Sequence, residues 1–249
     1  MSERIRETPD RVPAATSPDD WNRSASVDAP VASARLNTSG GSLTKIDQTR
    51  SGTDAVSDEA YAARLIRLQT ARWKRWLNVQ AVYGWNLRRL APGFTLDLGC
   101  GIGRTLRHLR GHGVGIDINE HCVRAARACG FLAFTPDEFR QLAEYNRPGR
   151  FDALLLAHVA EHMTEDGVVA LVQEYQTLVR PKGQLILIAP QEAGFSSDPT
   201  HVEFMDFERL SRIAARAGFQ PARAYSFPFP RRAGRWFTYN EFVVVSQKP

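Results

Sequence analysis

Long apolar runs are missing from this chain of 249 residues: no window of about 18 uncharged apolar residues occurs, so no segment reads as a membrane span. Cysteine is scarce, with three residues, Cys100, Cys122 and Cys129, and no CxxC pair among them. That excludes a disulfide framework and fits a reducing compartment. The first twenty residues carry acids and no apolar core segment, so the expectation is a cytoplasmic protein without a secretory signal. Lysine appears only at 45, 74, 182 and 248, which leaves arginine to carry most of the positive charge behind the net +5. Two readings of that charge stay open, a scattered solvated surface and a concentrated anion-binding patch. There is no internal repeat.

Apolar periodicity is also lacking from residues 1–56, which are rich in Ser, Thr, Asp, Ala and Pro. Such a segment cannot bury enough apolar surface to offset chain entropy, and it is expected to be a disordered tail. A domain is expected over 57–249. Ser57 followed by two acids suits a helix start, and Tyr61, Leu65, Leu68 and Trp76 keep a roughly helical stripe, which predicts a helical cap over 57–91. Pro92-Gly93 ends it. Beyond that point short apolar runs alternate with amphipathic segments. "FTLDLG", "GVGIDI", "FLAF", "FDALLLAH", "GQLILIA", "ARAYSF" and "EFVVVSQK" read as strands. Between them lie helical patterns, among them "PDEFRQLAEY", opened by proline, and "EDGVVALVQEYQTLV", capped by Thr164. Continuous apolar strands alternating with helices predict an α/β fold, a doubly wound, seven-stranded, mostly parallel sheet. No helix separates the last two strands, so the last one is expected to run antiparallel.

The densest signal is "TLDLGCGIGRTL", residues 95–106, where Gly99, Gly101 and Gly103 fall at alternate positions after a buried strand that contains Asp97. A glycine-rich turn leaving a first strand lets the backbone approach a nucleotide closely. Asp117 follows twenty residues after Asp97 (117 − 97), at the end of a second strand, where an acid accepts hydrogen bonds from ribose hydroxyls. Asp97 would repel a pyrophosphate and attract an amine. S-adenosylmethionine (SAM) has an ammonium, a ribose diol and no phosphate. "DLGCGIGR" and "VGIDIN" closely resemble the first two cofactor motifs of class I SAM-dependent methyltransferases. "FDALLLAHVAEHM…LVRPKGQLILIAP" resembles the fourth- and fifth-strand signature of their small-molecule, type 11-like branch.

The resemblance covers residues from about 60 to 249. It implies a Rossmann-like fold, SAM as cofactor, Asp97, Gly99, Gly101 and Gly103 around its methionine part, Asp117 on the ribose and Ile118 against the adenine. Asp137 is the candidate for the adenine amine, although "FTPDEF" departs from the usual Asp-Ala there, and a first-turn acid favouring its helix dipole is the alternative. In "AHVAEHM" the resemblance puts His158 in the cofactor wall and the Glu-His pair near the acceptor. His162 is then a base or orienting group whose tautomer Glu161 fixes; the alternative is a brace for the loop below the cofactor. "SSDPTHVEF" resembles the Asp-x-Thr-His loop of sugar- and lipid-modifying relatives, which makes His201, with Asp198, a second catalytic candidate. The alternative is an Asx turn at Asp198 and a helix cap at His201. Asp198, His201 and His162 could in principle bind a cation, but no tight ligand spacing joins them, so no metal is expected. Arg231, Arg232, Arg235, Trp236 and Tyr239 combine stacking planes with anion-pairing forks, or form a plain exposed loop.

Two further absences narrow the chemistry. No Asn/Asp-Pro-Pro-aromatic run and no cysteine follow the fourth strand, against amino or C5 methylation of nucleic-acid bases, so DNA is not an expected partner. The expected activity is O-methylation of a hydroxyl on a small-molecule or glycan acceptor such as a sugar-lipid or secondary metabolite. The alternatives are an RNA methyltransferase, which the basic charge favours but no RNA-binding module supports, and a catalytically silent SAM-binding protein.

Overall fold

The computed structural model describes residues 79–90 and 92–249. The expected tail (1–56) and most of the expected helical cap (57–91) lie outside the described residues. What is described of the cap is helical: α1 (Val79–Arg89) ends with Arg88 and Arg89, cations at the negative end of its dipole. The chain then runs β1 (Thr95–Leu98), α2 (Arg104–His108), β2 (Gly113–Ile116), α3 (Glu120–Ala128), β3 (Ala133–Phe134), α4 (Pro136–Arg140) and β4 (Phe151–Ala157). After a 3-10 turn at Ala160–His162 come α5 (Glu165–Tyr175), β5 (Val179–Pro190), α6 (Glu192–Phe195), α7 (Phe207–Arg216), β6 (Gln220–Phe227) and β7 (Glu241–Gln247).

One seven-stranded sheet has the order β3-β2-β1-β4-β5-β7-β6. Its strands are parallel except β7, which pairs antiparallel with both β5 and β6. Alternation along β4 builds the two-sided core: Leu154 and Leu156 join a cluster with Val168 and Val172 of α5 and Leu210 and Ile213 of α7. Leu155 points the other way, to Ile186, Val243 and Leu87 of α1. All three leucines are fully buried, each contributing roughly 1.5–3 kcal/mol by area. Among the described residues no helix is long and apolar enough to cross a membrane.

Helix starts follow side-chain chemistry. Asn119 Oδ1 accepts from the His121 and Cys122 amides at 2.9 and 3.2 Å to cap α3, and Thr135 with Glu138 forms a capping box on α4. Two elements differ from the sequence expectation. The helix expected over "PDEFRQLAEY" stops at Arg140, because Tyr145 turns back to stack near Phe94 and Phe134, at 6.3 and 6.4 Å between ring centroids. Aromatic burial outweighs helix continuation there. β5 begins at Val179 rather than at Gly183, since Val179 pairs with Phe151 and Gln184 with Ala153, and the residues between them loop out of register.

α5 and α7 are locked side by side by Glu165, which accepts from Arg212 Nε and Nη2 at 2.9 and 2.8 Å and from Arg216 Nη1 at 3.2 Å. Hydrogen bonds from Arg212, then Arg216, pull the Glu165 pKa down to about 2. A depressed carboxylate contributes stability above its unfolded pKa and loses it as pH falls, here from about 4.5 through about 2. Glu165→Gln is expected to lower stability at neutral pH by about 1 kcal/mol, a small value because the arginines are half-exposed. Thermal melts of the variant should also fall less steeply across that acid window; an unchanged acid limb would refute the assignment.

Candidate active site

The site is assembled where parallel strands β1, β2 and β4 end. Asp97 lies inside β1, opposite Gly115 of β2 and Leu155 of β4, and is 1% exposed. Its Oδ2 has no hydrogen-bond partner. Burial, and behind it the charge of Asp117, hold its carboxyl well above the usual carboxylate range. A cation placed beside Oδ2 would favour the ionised form.

The chain then turns through the glycines. Gly99 and Cys100 donate their amides to the Ile116 carbonyl at 2.8 and 3.1 Å, so the turn is hung on the end of β2. Gly99 has φ +70°, and a Cβ there would sit 2.4 Å from Val159 Cγ2. Gly103, at φ +84° before α2, would drive a Cβ to 2.6 Å from Phe131. Both positions exclude a side chain by conformation and by space. Asp117 ties the cradle together: Oδ2 accepts from the Gly101 amide at 2.7 Å and Oδ1 from the Asn119 amide at 2.9 Å. Beside it Ile118 stands 81% exposed, an apolar surface with nothing over it. Asp137 is exposed, in the first turn of α4, and ion-paired with Arg140.

The second half of the site leaves β4. His158 has φ +59° and donates its amide to the Ile188 carbonyl at 2.9 Å. Its ring lies between two carboxylates, Nδ1 at 3.3 Å from Glu161 Oε1 and Nε2 at 2.8 Å from Glu241 Oε1. Burial by itself would lower its pKa; the Glu161 and Glu241 carboxylates outweigh that and raise it to about 10. Each ring nitrogen therefore faces a carboxylate, hydrogen-bonded only on the Glu241 side, although 44% of the side chain still reaches solvent. Glu241 was not among the residues expected from sequence; its only trace is an acid at the head of the apolar run "EFVVV".

Glu161 is 1% exposed. Apart from the His158 approach, which lacks hydrogen-bond geometry, neither carboxylate oxygen has a partner. Its backbone carbonyl accepts from the Val202 and Glu203 amides at 2.7 and 3.2 Å, which docks the 198–203 loop onto the same turn. That loop brings His201 to His162, with ring centroids 4.9 Å apart. Glu161 does not orient His162 as expected. His162 Nδ1 instead faces the Thr200 carbonyl at 3.2 Å, and His201 Nδ1 faces the Phe195 carbonyl at 2.7 Å. A carbonyl only accepts, so each Nδ1 carries a hydrogen, and in the neutral ring the lone pair is then on Nε2.

The remaining candidates divide. Asp198 Oδ1 accepts from the Thr200 amide and hydroxyl at 3.1 and 2.8 Å, the Asx turn, whereas α7 is capped by Asp206 and not by His201. Arg231 is bound by Glu192 and lies over Phe242; Arg232, Arg235, Trp236 and Tyr239 are exposed. Sequence reasoning also missed the buried amides Gln191 and Asn240, joined at 2.9 Å, which brace the loop into β7.

A family model described as a methyltransferase domain matches residues 67–224. Among solved structures, a SAM-dependent methyltransferase from Archaeoglobus fulgidus is 18% identical, with a TM-score of 0.55, over 70% of this chain and 97% of that one. One chain of the Haloferax volcanii complex between the Trm112 methyltransferase activator and a methyltransferase is 19% identical, with a TM-score of 0.56, over 77% and 95%. A protein from Bacillus halodurans C-125, described as a methyltransferase, is 15% identical with a TM-score of 0.51, over 67% and 98%. These likenesses concern the fold. No curated protein matches the sequence significantly.

Proposed function

Because the chain belongs to the methyltransferase-domain family and is a SAM-dependent methyltransferase, we propose that its acceptor is a hydroxyl group on a glycan, sugar-lipid or other small polar metabolite. The observation that carries this reading is the tautomer pair: two imidazoles with Nε2 lone pairs, set beside a buried carboxylate on the turn that packs against Gly99. An alcohol is a weak nucleophile until its proton begins to leave, and a positioned imidazole accepts that proton. In the ion-free chain His162 takes this role and His201 lines the facing wall. His158 is unsuited to it, since Nε2 bonds Glu241 and the two facing carboxylates raise its pKa to about 10.

SAM, when bound, supplies a methyl group on a cationic sulfur. The residues present fit it. The unpartnered Asp97 carboxylate suits an ammonium, Asp117 keeps acceptor capacity for ribose hydroxyls, and exposed Ile118 offers an apolar face to adenine. Asp137 has a weaker claim on the adenine amine, because Arg140 already engages it. The loop carrying Arg232, Arg235 and Trp236 is free to meet a polar acceptor, whereas the Arg231 guanidinium is taken by Glu192.

The test uses methyl-labelled SAM with a panel of sugars, lipid-linked glycans, phenols and transfer RNA. Label in a base-stable methyl ether is the expected result; label on nitrogen, or only in RNA, overturns the hydroxyl reading. Asp117→Ala is expected to weaken SAM binding by roughly 1.5–3 kcal/mol, the scale of hydrogen bonds to a charged group. Calorimetry showing unchanged affinity in a folded variant would remove Asp117 from the cofactor site.

A further inference from the structure

We infer that Glu161, His162 and His201 form a binding site for one divalent first-row transition-metal ion. One donor atom from each of these three residues lies within 4.8 Å of the others. Proximity alone would not suffice; two independent features point to a cation.

The first is the Glu161 carboxylate. It is 1% exposed and neither oxygen has a hydrogen-bond partner. Taking such a group from water costs several kcal/mol unless something positive meets it. His158 approaches only Oε1, off-line and at 3.3 Å, and that ring is shared with Glu241 at the shorter 2.8 Å, which leaves Glu161 Oε2 uncommitted.

The second is the pairing of both imidazoles with backbone carbonyls. Metal-binding histidines characteristically donate one ring N–H to a carbonyl or carboxylate, which fixes the ring and turns the other nitrogen to the ion. Thr200 O and Phe195 O do this for His162 and His201. Phe195 also stacks on His201 at 5.2 Å, holding its plane. His158 then plays the same supporting part for the carboxylate.

The donor set selects the ion. Two neutral imidazole nitrogens and one carboxylate suit zinc, cobalt, nickel or iron(II), whereas magnesium and calcium prefer oxygen-only sets. At about 2.1 Å from a tetrahedral ion, donors stand about 3.4 Å apart, so separations of up to 4.8 Å must close by up to about 1.4 Å. Three protein ligands leave a position open, the pattern of a site that engages a substrate oxygen. That last role rests on the hydroxyl reading above; binding of the ion does not.

The full chain, made without a histidine tag and stripped with chelator, is titrated with zinc against a chromophoric competitor and with cobalt followed by its ligand-field absorption. The expectation is one zinc per chain at submicromolar Kd and cobalt bands of a low-coordinate nitrogen and oxygen site. His162→Ala and His201→Ala should each weaken zinc at least 100-fold, Glu161→Gln should weaken it as well, and His112→Ala should leave it unchanged. Should Glu161→Gln fail to fold, the two histidine variants decide. Less than a tenth of an equivalent of zinc bound, equal affinity in both histidine variants and the parent, or uptake of magnesium alone would each overturn the site. SAM calorimetry on the stripped chain is expected to show undiminished binding; lost SAM binding with zinc still bound would instead strike the cofactor assignments and leave the metal site standing.

Discussion

His162→Ala should lower methyl transfer by about 10²–10⁴-fold, the usual contribution of a positioned proton acceptor, while SAM affinity stays at the wild-type level. The separation is expected because the ring contacts the Thr200 carbonyl and His201, and none of the cradle formed by Asp97, the glycines and Asp117. An ion at the cluster changes the route but not the sign, since the substitution then removes a ligand. Transfer from labelled SAM to the acceptor found in the panel measures the rate, and calorimetry measures the affinity. Parallel loss of turnover, stability and SAM affinity would mean that His162 only braces the loop. Full activity in His162→Ala with loss in His201→Ala would move the proton acceptor to the 198–203 loop.

His158→Ala should destabilise the fold by roughly 2–4 kcal/mol. Removing one partner of a buried ion pair leaves the other charge unpaired at about 3–5 kcal/mol, and the lower part of that scale applies here because the imidazole is half-open to water. Two carboxylates, Glu161 and Glu241, would be stranded together. The double variant His158→Ala/Glu161→Gln should therefore recover part of the loss, which a merely steric role for the ring would not predict. Denaturant melts of the wild type, His158→Ala, Glu161→Gln and the double variant decide. Additive single effects would sink the electrostatic account.

The glycine cradle could be read along the chain because it is local. Asp97, the glycines and Asp117 belong to one β-α-β unit, and the strand order makes their ends neighbours. The sheet itself was legible for a related reason: strands covered on both faces, such as Leu154 to Leu156, stay apolar without alternation. The acceptor half was only partly legible. His158 and Glu241 are 83 positions apart, and nothing in either neighbourhood announces the other. The partner of His162 is likewise a backbone carbonyl on a distant loop, and carbonyls have no sequence signature. The Glu161, His162 and His201 cluster was hidden for the same reason, since Glu161 and His162 are adjacent while His201 arrives through the amides of Val202 and Glu203. α4 shows the opposite error, a helical pattern cut short because Tyr145 had a better use against Phe94.

β7, which follows β6 in the chain, lies between β5 and β6 and not at an edge, and its first residue holds His158 in place. On the ribosome, where residues emerge at about 5–20 per second and earlier segments begin to fold first, β5 and β6 both wait beside a gap that only residues 241–247 can fill. Until those residues leave the exit tunnel, His158 lacks one of its two counter-charges and two strand edges stay open to wrong partners. The nascent chain is thus withheld from working order until residues 241–247 have emerged, however early the rest of the sheet has formed.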